Sequence, residues 1–344
     1  MNKEAQAKRR RGERRDADRH IDGHALNPGD LSWDVLRAAV AEAACIPAAE
    51  VQVEVYPRTE RKEIDARAQG ADIVLTNKTP LTAETLRKLP SLRYIGVLAT
   101  GYDIVDVDAA QSLGITVTNV PGYGADNVAQ FVFALLLAWC HRVEAHDRSV
   151  KRGRWSRQPD FSYGLSPQTE LAGKTFGIIG YGQIGRKVAG LARAFGMDVI
   201  AATRTVPEGE AGIRFVSQDE LLAEADVVSL HCPLTKETRG MVNRTFIGKM
   251  KRTAVLINTS RGGLLHEQEV AGALREGRLC GVLLDVLAEE PPSPSHPLLM
   301  PHQRLIVTPH MAWASQAARQ RLLAIAADNI RAYLIGSPQH VVHR

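Results

Sequence analysis

Short apolar runs separated by amphipathic stretches recur along most of the chain. Val51–Tyr56, Asp72–Leu75, Arg93–Leu98 and Ile115–Thr118 read as strands, with helical periodicity near 60–69, 82–89 and 105–113. Strands alternating with helices predict a parallel sheet covered on both faces. Pro121-Gly122 closes this region, and a long helix begins near Asp126-Asn127. Its Val128, Phe131, Val132, Leu135, Leu136 and Trp139 are too many for a surface stripe. Burial on most sides is expected, with a second subunit as a candidate cover. Residues 151–171 lack periodicity and contain Pro159 and Pro167. They predict a long loop, of a kind often tied to function.

The pattern restarts at Lys174. Strands are expected at 175–179, 198–202, 226–231, 254–258, 281–285 and 305–307, with helices between them. Ser217-Gln-Asp-Glu220 spells a capping box. Gly277 stands where the helix starting near His266 should stop. The last helix, roughly Ser315–Leu334, is expected to return to the first region and make that domain discontinuous.

The strand Phe176–Ile179 runs directly into Gly180, Gly182 and Gly185, spaced G-x-G-x-x-G, and an amphipathic run from Gln183 to Phe195 follows. In a strand-turn-helix setting each glycine has its own reason. Gly180 permits the tight turn, Gly182 lets a pyrophosphate approach the backbone, and Gly185 lets the helix pack close to the sheet. The helix N-terminus then offers N–H groups to an anion. This predicts dinucleotide binding, and six strands with intervening helices match a complete fold for it.

Composition changes this picture little. The chain has 344 residues, 44% hydrophobic and 24% charged, and a net charge of +5. Residues 1–20 hold eight Lys/Arg and four acids, which leaves the remainder at +1. A near-neutral body argues against a nucleic-acid-binding domain. The basic start reads as a disordered tail. It lacks the apolar core of a signal peptide, and the greasiest run, Phe131–Cys140, is about half of a membrane span. Cys45, Cys140, Cys232 and Cys280 form no C-x-x-C, which fits a reducing compartment and no structural metal. A soluble, cytoplasmic protein without a membrane partner is expected.

Three further pieces lie at the carboxyl ends of predicted strands, where open α/β sheets bind ligands. They are Asn258-Thr-Ser-Arg261-Gly-Gly263, Asp285 with Glu289-Glu290-Pro291, and Thr308-Pro309-His310. Singly, each has an ordinary explanation as a surface arginine, a loop acid or a helix cap. Together, beside a dinucleotide turn, they form a reaction set. Hydride transfer to a ketone needs a proton donor, and an imidazole paired with a carboxylate suits that task. Arginine can hold a substrate carboxylate with two parallel hydrogen bonds.

With these residues in view, the chain resembles the D-isomer-specific 2-hydroxyacid dehydrogenase family. The matching strings are LAGKTFGIIGYGQIG, ADVVSLHCPLTKETRGMVN, LINTSRGGLL, LLDVLAEEPP and VTPHMAW. NKTPLT, YIGVLATGYDIVDVDAA and VTNVPGYGADNVAQFVFALLL extend the likeness over roughly residues 70–335. The last three strings, with Trp313, are most similar to the glycerate dehydrogenase (hydroxypyruvate reductase) branch. The resemblance implies an α/β protein of two doubly wound parallel-sheet domains, a Rossmann domain inserted into a flavodoxin-like substrate domain. The boundaries expected are a tail at 1–20, the substrate domain at 21–122 and 315–344, and the dinucleotide-binding domain at 123–314.

It also implies Arg261, Glu290 and His310 as catalytic residues. Cofactor contacts are implied at Gly180, Gly182, Gln183, Ile184, Gly185, Thr203, Arg204, Thr205, Cys232, Pro233, Thr238, Thr259 and Asp285. Substrate contacts are implied at Ala99, Thr100, Gly101, Arg261 and Trp313. From the residues themselves, no metal is expected, and a homodimer is, with Trp155 as a residue that could reach across it. The implied activity is reduction of hydroxypyruvate or glyoxylate to the D-2-hydroxy acid, and its reverse. A broad 2-oxo acid reductase and a nonenzymatic cofactor-sensing corepressor are the alternatives.

Two departures stand out. NAD-preferring members carry an acid at the end of the second strand, but here Asp198-Val-Ile-Ala-Ala-Thr-Arg204 ends in Thr203 and Arg204. No negative charge repels a 2′-phosphate, and a cation stands ready for it. NADP(H) is therefore the expected preference, with NAD(H) also usable. The family also begins with an apolar strand, whereas Ala17–Gly23 is too charged and polar to suggest a central one.

Overall fold

The computed structural model describes residues 17–20 and 22–342, the first four through their backbone. The charge-rich start, 1–16, lies outside the described residues. The chain forms two compact units. One comprises the chain up to Gly124 together with Ala314 onward, and the other is Ala125–Trp313.

The first unit is a five-stranded sheet of β1 (Ala17–His20), β2 (Gln52–Val55), β3 (Ile73–Thr76), β4 (Tyr94–Val97) and β5 (Thr116–Thr118). The order is β2-β1-β3-β4-β5, all parallel, the 2-1-3-4-5 order of flavodoxin-like folds. Here one expectation is corrected. A strand does exist within 17–20, and it lies inside the sheet. Asp18 pairs with Val53 on one side and Ile73 on the other. Parallel pairing needs only backbone N–H and C=O groups, which charged residues also carry. The outer neighbour β2 is itself mostly exposed, so this end of the sheet demands less apolar sequence. Residues 17–20 therefore belong to the sheet and not to the expected tail.

A helix at Asp34–Ala44, unmarked in the pattern above, buries Leu36, Ala39, Val40 and Ala41. The last helix, Gln316–Leu334, belongs to this unit. Arg319 fastens it, donating to the Leu26 carbonyl at 3.0 Å and to both carboxylate oxygens of Asp30 at 2.7 Å. The opposite core gathers Ile64, Val74, Leu81, Leu86, Ile95 and Val117.

The second unit is a seven-stranded parallel sheet. Its strands are β6 (Thr175–Ile179), β7 (Asp198–Ala202), β8 (Arg214–Phe215), β9 (Val227–Leu230), β10 (Val255–Asn258), β11 (Gly281–Leu284) and β12 (Leu305–Val307). Their order is β12-β11-β10-β9-β6-β7-β8, the Rossmann order with one added strand. The two-residue β8 is too short to leave a periodic signal. Alternate residues feed two cores: Phe176, Ile178, Val255 and Ile257 face one side, Ile179, Ala254 and Leu256 the other. Burial on both faces is why these strands read as unbroken apolar runs.

The long helix, Ala125–His141, is covered by this same unit. Val132 and Leu136 are buried, and Phe133 stacks on Phe176 and Phe195 with ring centroids 5.7 and 5.1 Å away. Its apolarity is thus largely explained within one chain. Residues 152–171 hold only a single short turn, at Trp155–Arg157. No single helix among the described residues is long and apolar enough to cross a membrane.

Candidate active site

The glycine turn sits where β6 ends. Gly180 has φ 96°, and a Cβ there would stand 2.5 Å from the backbone nitrogen of Cys232. Its N–H reaches the Ala202 carbonyl at 2.9 Å, tying the turn to the end of β7. Gly185 is equally confined, since a Cβ would lie 2.5 Å from the Gly180 carbonyl oxygen. Gly182 differs: a Cβ would meet nothing within 4 Å. It is exposed at the N-cap of the helix Gln183–Ala194, and no side chain caps that helix. Ile184 is half-buried and Gln183 exposed beside it.

Around this turn lie the other implied contacts. Thr203, half-buried, and the exposed Arg204 and Thr205 follow β7. The Thr235 hydroxyl, and to a smaller degree Arg204, hold the Glu237 carboxyl below its usual range. Cys232 and Pro233 follow β9, and burial pushes the Cys232 thiol up. The hydroxyl of Thr238 donates to the Pro233 carbonyl at 2.7 Å, so it shapes that turn. Thr259 has a buried hydroxyl without a partner in the protein. An open Gly182, an uncapped helix and an orphaned Thr259 hydroxyl together fit a polar ligand laid along these strand ends.

Arg261, Glu290 and His310 follow β10, β11 and β12, which are neighbours in the sheet. Asn258 closes the first loop, donating to the Arg261 carbonyl at 2.9 Å and accepting the Ser260 N–H at 3.0 Å. The Arg261 guanidinium, half-buried, donates to the Ser260 carbonyl. A Cβ on the next residue, Gly262, would stand 1.9 Å from the carbonyl carbon of Leu287. The first two loops therefore touch backbone to backbone.

Glu290 and His310 meet directly, with Oε2 2.6 Å from Nδ1. The other oxygen of Glu290 accepts the Leu287 N–H at 3.0 Å. His310 has φ 51°, uncommon for a residue with a side chain. Its segment is over-determined. Asp285, fully buried, accepts the Thr308 hydroxyl at 2.6 Å and the N–H groups of Met311 and Ala312 at 3.0 and 2.8 Å. Burial pushes the Asp285 carboxyl up, against the pull of these three hydrogen bonds. The Trp313 indole N–H donates to the His310 carbonyl at 2.8 Å, and Asn127 donates to the Ala312 carbonyl.

Residues 133–312 match the family described as "D-isomer specific 2-hydroxyacid dehydrogenase, NAD binding domain". The chain is 44% identical over 329 residues to the hydroxypyruvate reductase of Blautia hydrogenotrophica, covering 94% of this chain and 98% of that one. The chain belongs to the D-isomer-specific 2-hydroxyacid dehydrogenase family. This dehydrogenase is also 42% identical to the glycerate dehydrogenase of Methylorubrum extorquens, covering 82% of this chain and 88% of its relative. Among solved structures, it is similar to an acyclic imino acid reductase in complex with NADPH and D-Arg. That match has a TM-score of 0.80 at 31% identity, covering 95% of this chain and all of the other.

The implied substrate residues Ala99, Thr100 and Gly101 lie in the other unit of the dehydrogenase, in the loop after β4. That loop is pinned to Asn119 and Val120: Thr100 donates to the Val120 carbonyl at 2.9 Å, and Asn119 to the Thr100 carbonyl at 2.7 Å. Beside it the sequence hid a device. Asp22 accepts the N–H groups of Asn77 and Thr79 at 2.7 and 2.8 Å, and that of Lys78. One carboxylate thereby fixes the turn after β3, and nothing in a lone aspartate announces it.

Proposed function

We propose that the protein reduces hydroxypyruvate or glyoxylate to the D-2-hydroxy acid and catalyses the reverse oxidation. The observation that carries this reading is the 2.6 Å pair of His310 and Glu290, beside the loop of Arg261 in a sheet built for a dinucleotide. Gly180, Gly182 and the uncapped helix start at Gln183 would hold the pyrophosphate. Thr259 would add its spare hydroxyl, and Oδ2 of Asp285 retains capacity for a carboxamide N–H. A nicotinamide dinucleotide, when bound, supplies the hydride that the carbonyl carbon receives. Arg261 would clamp the substrate carboxylate, and Ala99, Thr100 and Gly101 are the proposed substrate contacts of the first unit. Glu290 occupies Nδ1 of His310, so Nε2 is the nitrogen that delivers a proton to the carbonyl oxygen. Trp313 would wall the pocket, its indole N–H already spent on holding His310 in place.

The cofactor preference proposed is NADP(H). Thr203 stands where an acid would repel a 2′-phosphate, and Arg204 is exposed next to it. A homodimer is also part of this reading. Val143, Val150, Trp155 and Phe161 expose apolar side chains within one stretch of the second unit, as interaction surfaces do. Sedimentation at the monomer mass would reject it. All four cysteines are free thiols, in keeping with a cytoplasmic setting.

Steady-state kinetics test the whole proposal. Glyoxylate, hydroxypyruvate, pyruvate and phenylpyruvate are each assayed with NADPH and NADH. A higher kcat/KM for glyoxylate or hydroxypyruvate and for NADPH supports it. Equal rates with all four acids favour a broad reductase. No turnover, with cofactor binding intact, favours a cofactor sensor.

A further inference from the structure

The second unit contains another histidine–carboxylate pair. Nε2 of His296 lies 3.0 Å from Oε2 of Glu267, and the two side chains are 10% and 15% exposed. Nδ1 of His296 accepts the Leu298 N–H at 3.2 Å, so the ring proton sits on Nε2 and is donated to Glu267. The other carboxylate oxygen, Oε1, accepts the Ala288 N–H at 2.8 Å. Glu267 is the first residue of the helix Glu267–Arg275, where a negative charge is favoured and the backbone is rigid.

One carboxylate thus holds two points of the same loop, Ala288 and His296, and Glu290 lies between them. Within that loop Glu290 is braced by the Leu287 N–H and points its other oxygen at His310. Both ring nitrogens of His296 are committed inside the protein, which leaves it nothing to offer a substrate. The arrangement is mechanical.

We propose that Glu267 and His296 are positioning residues, a buried clasp that sets the reach of Glu290 toward His310. This rests on the reading of Glu290 and His310 as the proton-delivering pair. Losing the clasp would leave Glu290 on a loop tethered at Leu287 but free to drift. A misplacement near 1 Å costs a reaction up to about 100-fold.

The test uses the full chain with hydroxypyruvate and NADPH, and NADH if NADPH is not accepted. Glu267→Ala and His296→Ala are made in the wild type and in a Glu290→Gln background, together with His296→Gln, whose amide can still donate to Glu267. The expected result is a kcat lowered roughly 10- to 100-fold with KM for both substrates unchanged. No further loss is expected in the Glu290→Gln background, and His296→Gln should recover most of the activity. A wild-type kcat, an equal loss of kcat in both backgrounds, or a loss confined to KM overturns the proposal. Should Glu267→Ala not fold, Glu267→Gln, which keeps one acceptor oxygen, gives the same comparison. A wild type inactive on every 2-oxo acid would instead refute the functional reading on which the clasp depends.

Discussion

His310 combines the ring proposed to deliver the proton with a backbone angle that few side chains accept. The best control for its chemistry is therefore asparagine, which tolerates positive φ. His310→Asn should lower kcat by about 10²- to 10⁴-fold, the usual loss for a general acid, with a melting temperature nearer wild type than that of His310→Ala. A second histidine gives a pH prediction. Burial pushes His231, beside the glycine turn, down to about 4 from 6.5. It stays neutral in the fold and gains a proton on unfolding, so stability is full above about pH 6.5 and is lost as pH falls toward 4. The loss is on the order of 3 kcal/mol. Denaturant titrations across that range should show a weaker pH dependence for His231→Gln than for wild type. At this scale Arg261, Glu290 and His310 were legible because each sits in a short string at a strand end. Asp22, Glu267 and His296 were not, because their partners lie far off in sequence and only the fold brings them together.

Among the elements, the turn between β6 and its helix separates folding from binding. Gly180→Ala would force a Cβ into the His231–Cys232 backbone at a positive φ, and should lower the melting temperature without any ligand. Gly182→Ala meets open space. It should melt like wild type alone, yet lose most of the thermal shift expected from a bound nicotinamide dinucleotide, as a fluorescence melt would show. Most elements of the second unit were readable, since strands buried on both faces leave long apolar runs and Ser217 with Glu220 does form the predicted cap. The first unit was harder. The helix Asp34–Ala44 has a narrow apolar face in an alanine-rich stretch, and β1 is held by backbone pairing that composition does not report.

For the molecule as a whole, the placement of β1 matters more than its composition suggests. A chain shortened through Ile21 would lose an interior strand from the first sheet, and with it the strand leading to Asp22. Calorimetry should show that transition destabilised, while the second unit retains its nicotinamide-dependent melt and turnover disappears. The packing at Gly262 has another consequence. Because a single hydrogen is all that fits between the loops after β10 and β11, neither can change length without the other giving way. Over evolutionary time, insertions that retune what this enzyme acts on should accumulate in the unit carrying Thr100, while these two loops drift in sequence and hold their span.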